Sequence, residues 1–412
     1  MNTFISPTWV TTDTAVNWKN NIKLVANFDR QWNDEWSSKP GGAKVGYTIQ
    51  VRLPQRWVVT EGQALVQQAI LNQTVPITLN HQFQVGMGWS SADNAMLVEE
   101  VQSRYTSKAG ISLANKCDLI AGAEVYKAVY FVAGPLSAQP LSNIAVDGVI
   151  TDAVAKLRNV GVPEDLCAVV DPKTQSLLLK VAFNQFNPQG RVSTYWNKGK
   201  FAENALGVDE WYWDPNIPTH ASGNFTTSTW LVDGALQTGS TIVVKGGGTY
   251  SLNVGDTFVI AGVNAVNPVS YIDTGDLQTF SIQAAIAGAG AATYTVSPAI
   301  ITSGPLQTVT VSPANNATIT FTQATGTVNA TMAAQTSRQS LMFHPEAFAF
   351  VMAELPVPLA GANSARKSDR DAKISMRWVE QYNIQTDQEP SKIECLVGVA
   401  AILPYFALRI FF

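Results

Sequence analysis

Side chains that could perform chemistry are few and widely separated in this sequence. His81, His220 and His344 stand alone, and none has a carboxylate or cysteine partner at the spacing of metal ligands. No nucleophile elbow, zinc-protease motif or complete phosphate loop is present. The sequence therefore predicts no catalytic residue, no cofactor site and no metal site, and we expect a protein that is not an enzyme.

Two local clusters leave other chemistry open. Asp209, Glu210 and Asp214 flank an aromatic run at 211–213, which permits a sugar or metal site, although a turn packed by aromatic rings is favoured. Lys44 follows two glycines, but a strand pattern comes next, where a phosphate loop needs a helix. An isopeptide link from Lys44 to a neighbouring subunit is an alternative to an ordinary solvated lysine.

The three cysteines indicate a reducing compartment. Cys117, Cys167 and Cys395 are odd in number, far apart and embedded in apolar sequence. A disulfide framework or a metal site would require paired or closely spaced cysteines. We therefore expect three buried thiols in a protein made in a cytoplasm.

Composition restricts the class of partner. Apolar residues make up 46% of the chain and charged residues only 14%, with a formal net charge of −4. An acidic chain of this kind lacks the basic face that sequence-specific nucleic-acid binding requires. Eleven tryptophans suit protein interfaces, where amphipathic aromatic rings are enriched.

The two ends of the chain were considered as membrane segments. The N-terminal residues have no basic start and no apolar core of signal-peptide length. The apolar run at 395–412 is long enough to span a bilayer, but Pro404 and Arg409 interrupt it. We predict two buried strands joined at Pro404 and no membrane association.

The element around which the chain is organised is a predicted helix at about residues 90–131. Apolar residues recur there mostly three to five positions apart, with polar residues between them, and Ser90 begins a run of helix-capping residues. An unbroken helix of this length would measure about 50–60 Å. Gly110 makes a break or two shorter helices an alternative.

Before this helix the chain reads as an arm and then an extended excursion. Residues 1–43 are polar with scattered tryptophans, and we expect some helix near residues 17–36. In residues 44–89, Tyr47, Ile49 and Val51 alternate with polar residues, which is strand periodicity. A two-stranded excursion is marginally stable alone in water, so it needs a surface to lie on.

After the helix, two regions of different composition follow. Strands and helices alternate at about 141–222, which indicates a small α/β unit. Residues 223–338 are nearly free of charge, with short β-rich runs between Gly, Pro and Asn turns, which indicates an all-β barrel or sandwich. We expect Ile286–Ala292 in it to be a loop. The mixed pattern then returns, so the β domain is predicted to be inserted into a discontinuous main domain, 90–222 plus 339–412.

Several short motifs occur in a characteristic order. They are Gly46–Pro54 followed by Val59 and Gly62, then Leu113-Ala114-Asn115 followed by Asp118, then Ala205–Asp209 and Pro215–Thr219, then Gly255–Val263, and finally Leu341–Phe348. In these motifs and their order, the chain resembles the major capsid proteins of tailed bacteriophages with the Hong Kong 97-type (HK97-like) fold. Within that group it is most similar to the coat-protein family of phage P22. The N-terminal arm matches poorly, and the inserted domain is unusually poor in charge.

The resemblance implies an α+β capsid fold with an N-terminal arm, an extended β loop, a long spine helix, an α/β axial domain and an inserted barrel-like domain. It implies a structural function. Copies of the chain would self-assemble as pentamers and hexamers into an icosahedral virion shell around double-stranded DNA. This assembly would take place in the host bacterial cytoplasm. The implied partners are further copies of the chain, a scaffolding protein, a portal, a decoration protein and nonspecifically packaged DNA. The residues predicted to touch a neighbouring copy are Tyr47, Ile49, Val51, Arg52, Pro54, Arg56 and Trp57.

A function of a different class remains as the alternative. The Thr-rich β domain at 223–338 also suits a surface or tail adhesin that binds a glycan. The absence of a visible signal peptide and the long helix disfavour it. An enzyme that uses Asp209 or Asp214 is a more distant third interpretation.

Overall fold

A computed structural model describes most of the chain. The described residues are 7–35, 46–90, 105–134, 145–185, 206–225, 230–246, 248–322, 332, 334, 336–358, 363–369 and 373–411. Lys44 and the first part of the predicted long helix, 91–104, lie outside them.

The helices of the described residues are short to medium in length. They are α1 (Pro7–Asn21), α2 (Ser107–Ala128), α3 (Ala145–Asn159) and α4 (Pro172–Gln185). Short 3-10 turns occupy Val25–Asn27, Gln31–Glu35, Pro345–Ala347 and Pro404–Phe406.

Strands make up most of the remaining regular structure. They are β1 (Thr48–Arg52), β2 (Thr74–Ser90), β3 (Phe131–Ala133), β4 (Cys167–Val170), β5 (Glu210–Trp213), β6 (Thr219–Ala221), β7 (Asn224–Phe225), β8 (Leu231–Val232), β9 (Gly239–Lys245), β10 (Thr249–Leu252), β11 (Thr257–Val266), β12 (Asp273–Ile282), β13 (Ile286–Ala289), β14 (Ala292–Ile300), β15 (Ile319–Phe321), β16 (Thr336–Phe343), β17 (Phe348–Ala353), β18 (Asn363–Asp369), β19 (Ile374–Glu380), β20 (Gln388–Ala401) and β21 (Ala407–Phe411).

The chain forms two compact units, each assembled from distant segments. Unit 1 comprises Met1–Val51, Thr74–Gly122 and Phe348–Ala400. Unit 2 comprises Arg52–Gln73, Ala123–Ala347 and Ala401–Phe412. Because each unit joins residues that are hundreds of positions apart, its core requires nonlocal contacts.

Unit 1 is built on a sheet with the strand order β1-β2-β20-β19-β18, in which β17 also pairs with β20. Strand β2 runs antiparallel to β20 from Leu79, opposite Gly398, to Ser90, opposite Gln388. A Cβ atom at residue 398 would lie 2.4 Å from the carbonyl oxygen of Thr78, so this close pairing requires glycine. The predicted excursion is therefore supported by β20, a third strand from the C-terminal part of the chain.

The N-terminal residues pack inside unit 1. Some helix is present near 17–36, as expected, in the end of α1 and two 3-10 turns, but α1 itself begins earlier, at Pro7. Its Thr- and Asn-rich sequence shows little helical periodicity, and the helix is stabilised by burial of Val10 and Trp18. The Trp18 ring stacks on Phe350 with the ring centroids 6.3 Å apart.

Helix α2 is continuous through Gly110, so the alternative of a break there is wrong and one helix spans this position. A Cβ atom at residue 110 would lie 2.7 Å from the carbonyl oxygen of Thr14, which shows that α1 and α2 approach too closely for any side chain. The Asp13 carboxylate accepts a hydrogen bond of 2.7 Å from the Thr106 hydroxyl beside this crossing. Glycine here permits helix packing and does not cause a kink.

The bounds of α2 differ from the predicted long helix at both described ends. Ser90 is the last residue of β2, so the helix does not begin there. At the other end the helix stops at Ala128, because the chain enters β3 at Phe131. Buried Asp118 on α2 accepts hydrogen bonds of 2.9 Å from the backbone N–H groups of Lys23 and Val25, which anchors the segment after α1.

Unit 2 contains a mixed sheet with the strand order β3-β21-β16-β4-β5, in which β6 also pairs with β16. Strands β3 and β21 are parallel, as are β4 and β5, whereas β16 is antiparallel to its neighbours. Ile150 and Leu157 of α3 are buried against Met342 and Leu408 of the sheet. This arrangement confirms the predicted α/β alternation in this part of the chain.

The charge-poor region of unit 2 forms a six-stranded antiparallel barrel with the order β15-β11-β12-β14-β9-β8. It closes where Leu231 of β8 bridges to Thr318, next to β15. The Val232 N–H donates to the carbonyl oxygen of Ala317 at 3.0 Å across this seam. The interior is packed with aromatic rings, including Phe258 stacked on Phe280 at 5.7 Å.

Two local predictions in the barrel region are wrong. Residues 286–289 form β13, which pairs with β10 in a small sheet of order β13-β10-β7, although a loop was expected at Ile286–Ala292. The Ala- and Gly-rich strand fits there because Gly288 leaves room for the Tyr250 hydroxyl. One of the short runs predicted to be β-rich, residues 307–311, forms no strand and makes only an isolated bridge at Val309. The boundaries 223 and 338 of an inserted domain remain predictions.

The apolar C-terminal run follows the expectation. Strands β20 and β21 are joined by the turn at Pro404–Phe406. Within the described residues, no helix is both long and apolar enough to cross a membrane. All three cysteines are free and buried, as predicted.

Candidate inter-subunit surface

The segment between β1 and β2, residues 53–73, is the most exposed apolar part of the described chain, and we call it the extended loop. Its ends are fixed by backbone hydrogen bonding, since the Leu53 N–H donates to the carbonyl oxygen of Gln73 at 2.9 Å. The strands that lead into it are anchored by buried side chains, among them Val51 and Ile77. The loop therefore leaves the protein from a defined base.

Glutamine side chains hold the two arms of the extended loop together. The Gln55 Oε1 atom accepts a hydrogen bond of 3.0 Å from the Leu71 N–H. The Gln68 amide accepts from the Val58 N–H at 3.0 Å and donates to the Val58 carbonyl oxygen. These bonds replace the backbone ladder of a hairpin, so the loop has a defined shape without strand pairing.

The extended loop presents large apolar side chains to solvent. Val59 is 94% exposed, Leu65 93%, Ile70 72% and Trp57 53%. Its charged residues are only Arg56 and, near the tip, Glu61. Apolar surface concentrated in this way marks a site of protein association.

The residues predicted to touch a neighbouring copy differ in their exposure to solvent. Those exposed to solvent are Tyr47, Arg52, Pro54 and Trp57, and those half-buried are Ile49 and Arg56. Val51 is only 2% exposed, because its side chain faces the core of unit 1, so it is not available as a surface contact. Contact with a second copy stays a prediction for the other six.

Sequence reasoning missed the most exposed members of this surface. Val59, Leu65, Val66 and Ile70 were not selected because the segment has neither strand nor helix periodicity. One feature of the sequence could have identified them. Apolar residues recur through this segment with no regular pattern and almost no charge.

A buried polar cluster in unit 2 is the best-formed constellation of titratable side chains in the described chain. The Asp256 carboxylate lies 2.9 Å from His220 Nε2, and the Tyr126 hydroxyl lies 3.3 Å from His220 Nδ1. His220 has no carboxylate partner at metal-ligand spacing in the sequence, but the fold gives it a distant one. The partners are 36 residues apart in sequence and meet because β6 and the β10–β11 turn pack together.

This cluster is inaccessible, since Tyr126, His220 and Asp256 are each at most 5% exposed. The Asp256 carboxylate also accepts hydrogen bonds from the N–H groups of Gly223 at 3.0 Å and Asn253 at 2.7 Å. No substrate can reach such a site. It is an internal clasp that joins the end of α2, strand β6 and the barrel.

A buried arginine supports the clasp. The Arg409 guanidinium donates to the carbonyl oxygen of Gly255 at 2.9 Å and lies 5.9 Å from the Tyr126 ring centroid. Burial lowers the pKa of Arg409 to about 10, against opposing contributions from Tyr126 and Asp256. The group therefore remains positively charged near neutral pH.

The other residues considered as catalytic or metal-binding candidates make structural contacts. Asp209 accepts from the Leu166 N–H at 3.0 Å, and Asp214 accepts from the Asn216 N–H at 2.9 Å. His81 stacks on the Phe83 ring. Among the described residues, no group of three or more His, Cys, Asp or Glu side chains could hold a metal ion. The aromatic run at 211–213 lies in strand β5, which pairs with β4, so the expected turn packed by aromatic rings is wrong.

An exposed apolar loop and a polar cluster closed to solvent define a structural protein that associates through its surface. Residues 68–408 match the family described as "P22 coat protein - gene protein 5". Because this match spans well over half of the chain, the chain belongs to the P22 coat protein family. The match begins inside the extended loop, so residues 53–67 of that loop lie outside it.

Family membership confirms the predicted class. The chain is a major capsid protein with an α+β fold, structural and not enzymatic. It self-assembles into a shell and belongs to the virion capsid. The adhesin alternative is not favoured.

Solved structures similar to this chain include phage capsid components. A Mycobacterium phage Che8 chain has 11% identity over 94% of this chain and 90% of that chain, with a TM-score of 0.47. A chain of the bacteriophage PhiM1 mature capsid has 11% identity over 89% and 82%, with a TM-score of 0.42. The CUS-3 coat protein I-domain has 27% identity over 24% and 98%, with a TM-score of 0.19. No curated protein matches the chain.

Proposed function

We propose that the extended loop, residues 53–73, is a principal contact by which each copy of the capsid protein lies over its neighbour. The observation that carries this proposal is a loop of defined shape whose largest apolar side chains face solvent in the single chain. A second copy provides the surface that the loop lacks. Burial of one exposed aliphatic side chain contributes about 1.5–3 kcal/mol, and a shell repeats the contact in every copy.

The contact set combines predicted and newly recognised residues. Tyr47, Ile49, Arg52, Pro54, Arg56 and Trp57 lie at and near the base of the loop, and Val59, Leu65, Val66 and Ile70 lie beyond them. The nearly uncharged loop supports a contact driven by apolar burial, which is weakly sensitive to salt.

We propose the finer assembly with family membership as its support. Copies form pentamers and hexamers of an icosahedral shell in the host bacterial cytoplasm, with a scaffolding protein, a portal and a decoration protein as partners. The packaged DNA is held nonspecifically, which the net charge of −4 supports because no strong phosphate-binding surface is expected.

The domain organisation is proposed as predicted. Residues 1–43 act as an arm that lies under a neighbouring copy, and 44–89 as the extended β region. A discontinuous main domain, 90–222 plus 339–412, contains a spine helix that includes Ser107–Ala128 and an axial part at about 141–222. The inserted β domain, 223–338, stands on the outer face.

The test replaces residues 54–72 with a two-residue turn. Leu53 and Gln73 are already hydrogen-bonded, so the base closes without strain. The variant is expected to keep the wild-type melting temperature and to form no closed shells by negative-stain microscopy. A matched control, Leu236→Ser with Val311→Ser, changes exposed apolar side chains of the barrel and is expected to form shells. Closed shells from the loop replacement would contradict the proposal.

A further inference from the structure

The base of the extended loop is held by two aromatic side chains from other parts of unit 2. The first is Tyr271, in the turn between β11 and β12. Its hydroxyl donates to the carbonyl oxygen of Trp57 at 3.5 Å or to that of Pro305 at 3.3 Å, one acceptor at a time. Tyr271 has a φ of +58°, a left-handed conformation that a tyrosine adopts only where its surroundings fix it.

The turn that carries Tyr271 is itself tied to the α/β part of unit 2. The Asn267 side chain donates to the carbonyl oxygen of Asn159, the last residue of α3, at 2.8 Å. Its Oδ1 atom accepts from the N–H groups of Val269 at 2.9 Å and Ser270 at 3.1 Å. The turn 267–272 is thus a fixed support between the barrel and α3.

The second aromatic side chain is Tyr405, in the 3-10 turn between β20 and β21. The guanidinium of Arg56 lies 4.6 Å from the Tyr405 ring centroid, within the range of a cation–π contact. The Tyr405 ring packs against Phe406 with the centroids 4.7 Å apart, which fixes its orientation. Arg56 and Trp57 are adjacent, so the two contacts hold one short stretch of the loop.

We propose that the barrel turn 267–272 and Tyr405 form a bracket that sets the direction in which the extended loop leaves the subunit, and thereby where it meets the next copy. This rests on the proposed function of the loop. Tyr271 and Tyr405 are positioning residues, because they touch the base of the loop and not its exposed apolar part. The barrel thus takes part in assembly through its own chain's loop.

Direction is critical because the loop is long and slender. About ten extended residues in each arm, at about 3.3 Å each, give a reach of roughly 30 Å. A pivot of about 10° at the base would then move the tip by roughly 5 Å, which is enough to misalign an apolar contact. Small contacts at the base therefore have a large effect on where the tip meets a neighbour.

The experiment measures hydrogen exchange of the loop in the unassembled protein, together with the uniformity of assembled shells. Tyr271→Phe removes the hydroxyl and keeps the ring, and Arg56→Gln removes the cation from Tyr405. The matched control is Tyr382→Phe in unit 1, which removes a hydroxyl that donates to Asp387 at 2.9 Å in another hairpin turn. Tyr405→Phe keeps the ring face, whereas Tyr405→Leu removes it.

We expect Tyr271→Phe, Arg56→Gln and Tyr405→Leu to speed exchange in peptides covering 54–60 by about two- to ten-fold, the range of one lost hydrogen bond or weak contact. Their shells should be irregular in diameter at an unchanged melting temperature. The Tyr405→Phe and Tyr382→Phe variants should both show the exchange rates of the wild type and form shells of uniform diameter. If Tyr271→Phe lowers the melting temperature, its effect on the loop cannot be separated from a loss of stability. The exchange rate of Arg56→Gln, a residue outside the barrel, is then the measurement that tests the bracket.

Unchanged exchange in the loop of both Arg56→Gln and Tyr405→Leu would overturn the bracket. This failure differs from that of the proposed function, which would appear as closed shells from a protein that lacks residues 54–72.

Discussion

At the scale of single residues, the sheet of unit 1 contains a buried charge that is fully engaged. The Glu394 carboxylate accepts hydrogen bonds from Arg377 Nε at 2.8 Å, Lys392 at 3.0 Å and Gln82 at 2.8 Å. Burial alone would raise the pKa of Glu394, but these hydrogen bonds outweigh it and hold the pKa below its ordinary value. The ion pair is therefore formed across three adjacent strands at neutral pH.

Glu394→Gln should lower the free energy of unfolding at pH 7 by about 2 kcal/mol, because the charged acceptor of Arg377 and Lys392 is lost. The folded-state pKa lies below 4.5, so the wild-type advantage is present above that pH and is lost as the pH falls further. Denaturant unfolding of both proteins between pH 3 and 7 is the measurement. Parallel pH profiles would show that the carboxylate is not perturbed.

At the scale of elements, close approach decides which side chains are allowed. Gly110 and Gly148 both lie in helices, but only Gly110 faces another helix, with the Thr14 carbonyl oxygen 2.7 Å from a Cβ at that position. At Gly148 nothing lies within 4 Å of such an atom. Substitution by alanine should therefore lower the stability of the protein at Gly110 and raise it at Gly148.

Gly110→Ala is expected to destabilise the protein by about 2 kcal/mol, since the added methyl group forces α1 away from α2. Gly148→Ala should stabilise α3 by up to about 1 kcal/mol through helix propensity alone. Thermal melts of the two variants test this directly. Stabilisation by both substitutions would contradict the close crossing.

The clasp joins elements that are distant in sequence, and its carboxylate satisfies three donors. Asp256→Ala should cost about 3 kcal/mol or more, because the N–H groups of Gly223 and Asn253 and the His220 ring lose their acceptor. Asp233→Ala removes only a half-exposed ion pair with Lys245 and should change stability by less than about 1 kcal/mol. Equal losses in denaturant unfolding would rule out a special role for Asp256.

The helices and strands differ in whether they could be predicted from the sequence. Strand β1 and the barrel strands β9 and β11 follow local periodicity and turn residues, so they were predictable. Helix α1 and strand β13 carry weak local signals and depend on their tertiary partners, so they were not. The clasp of His220 and Asp256 and the exposure of the extended loop depend on which distant segments meet, which residue spacing does not encode.

At the scale of the whole molecule, the protein is a subunit that associates with further copies of itself. Its clasp is closed to solvent, whereas the extended loop presents several large apolar side chains to solvent. Among the described residues these side chains are left uncovered, which suits a subunit that associates with further copies. Closed symmetric assembly satisfies every copy of such a contact.

The most direct measurement is the particle size of the full-length chain, by light scattering and negative-stain microscopy, expressed alone and with a scaffolding protein. The account predicts closed shells of uniform diameter with fivefold and sixfold clusters of subunits. A chain that stays monomeric under both conditions, while correctly folded, would contradict it.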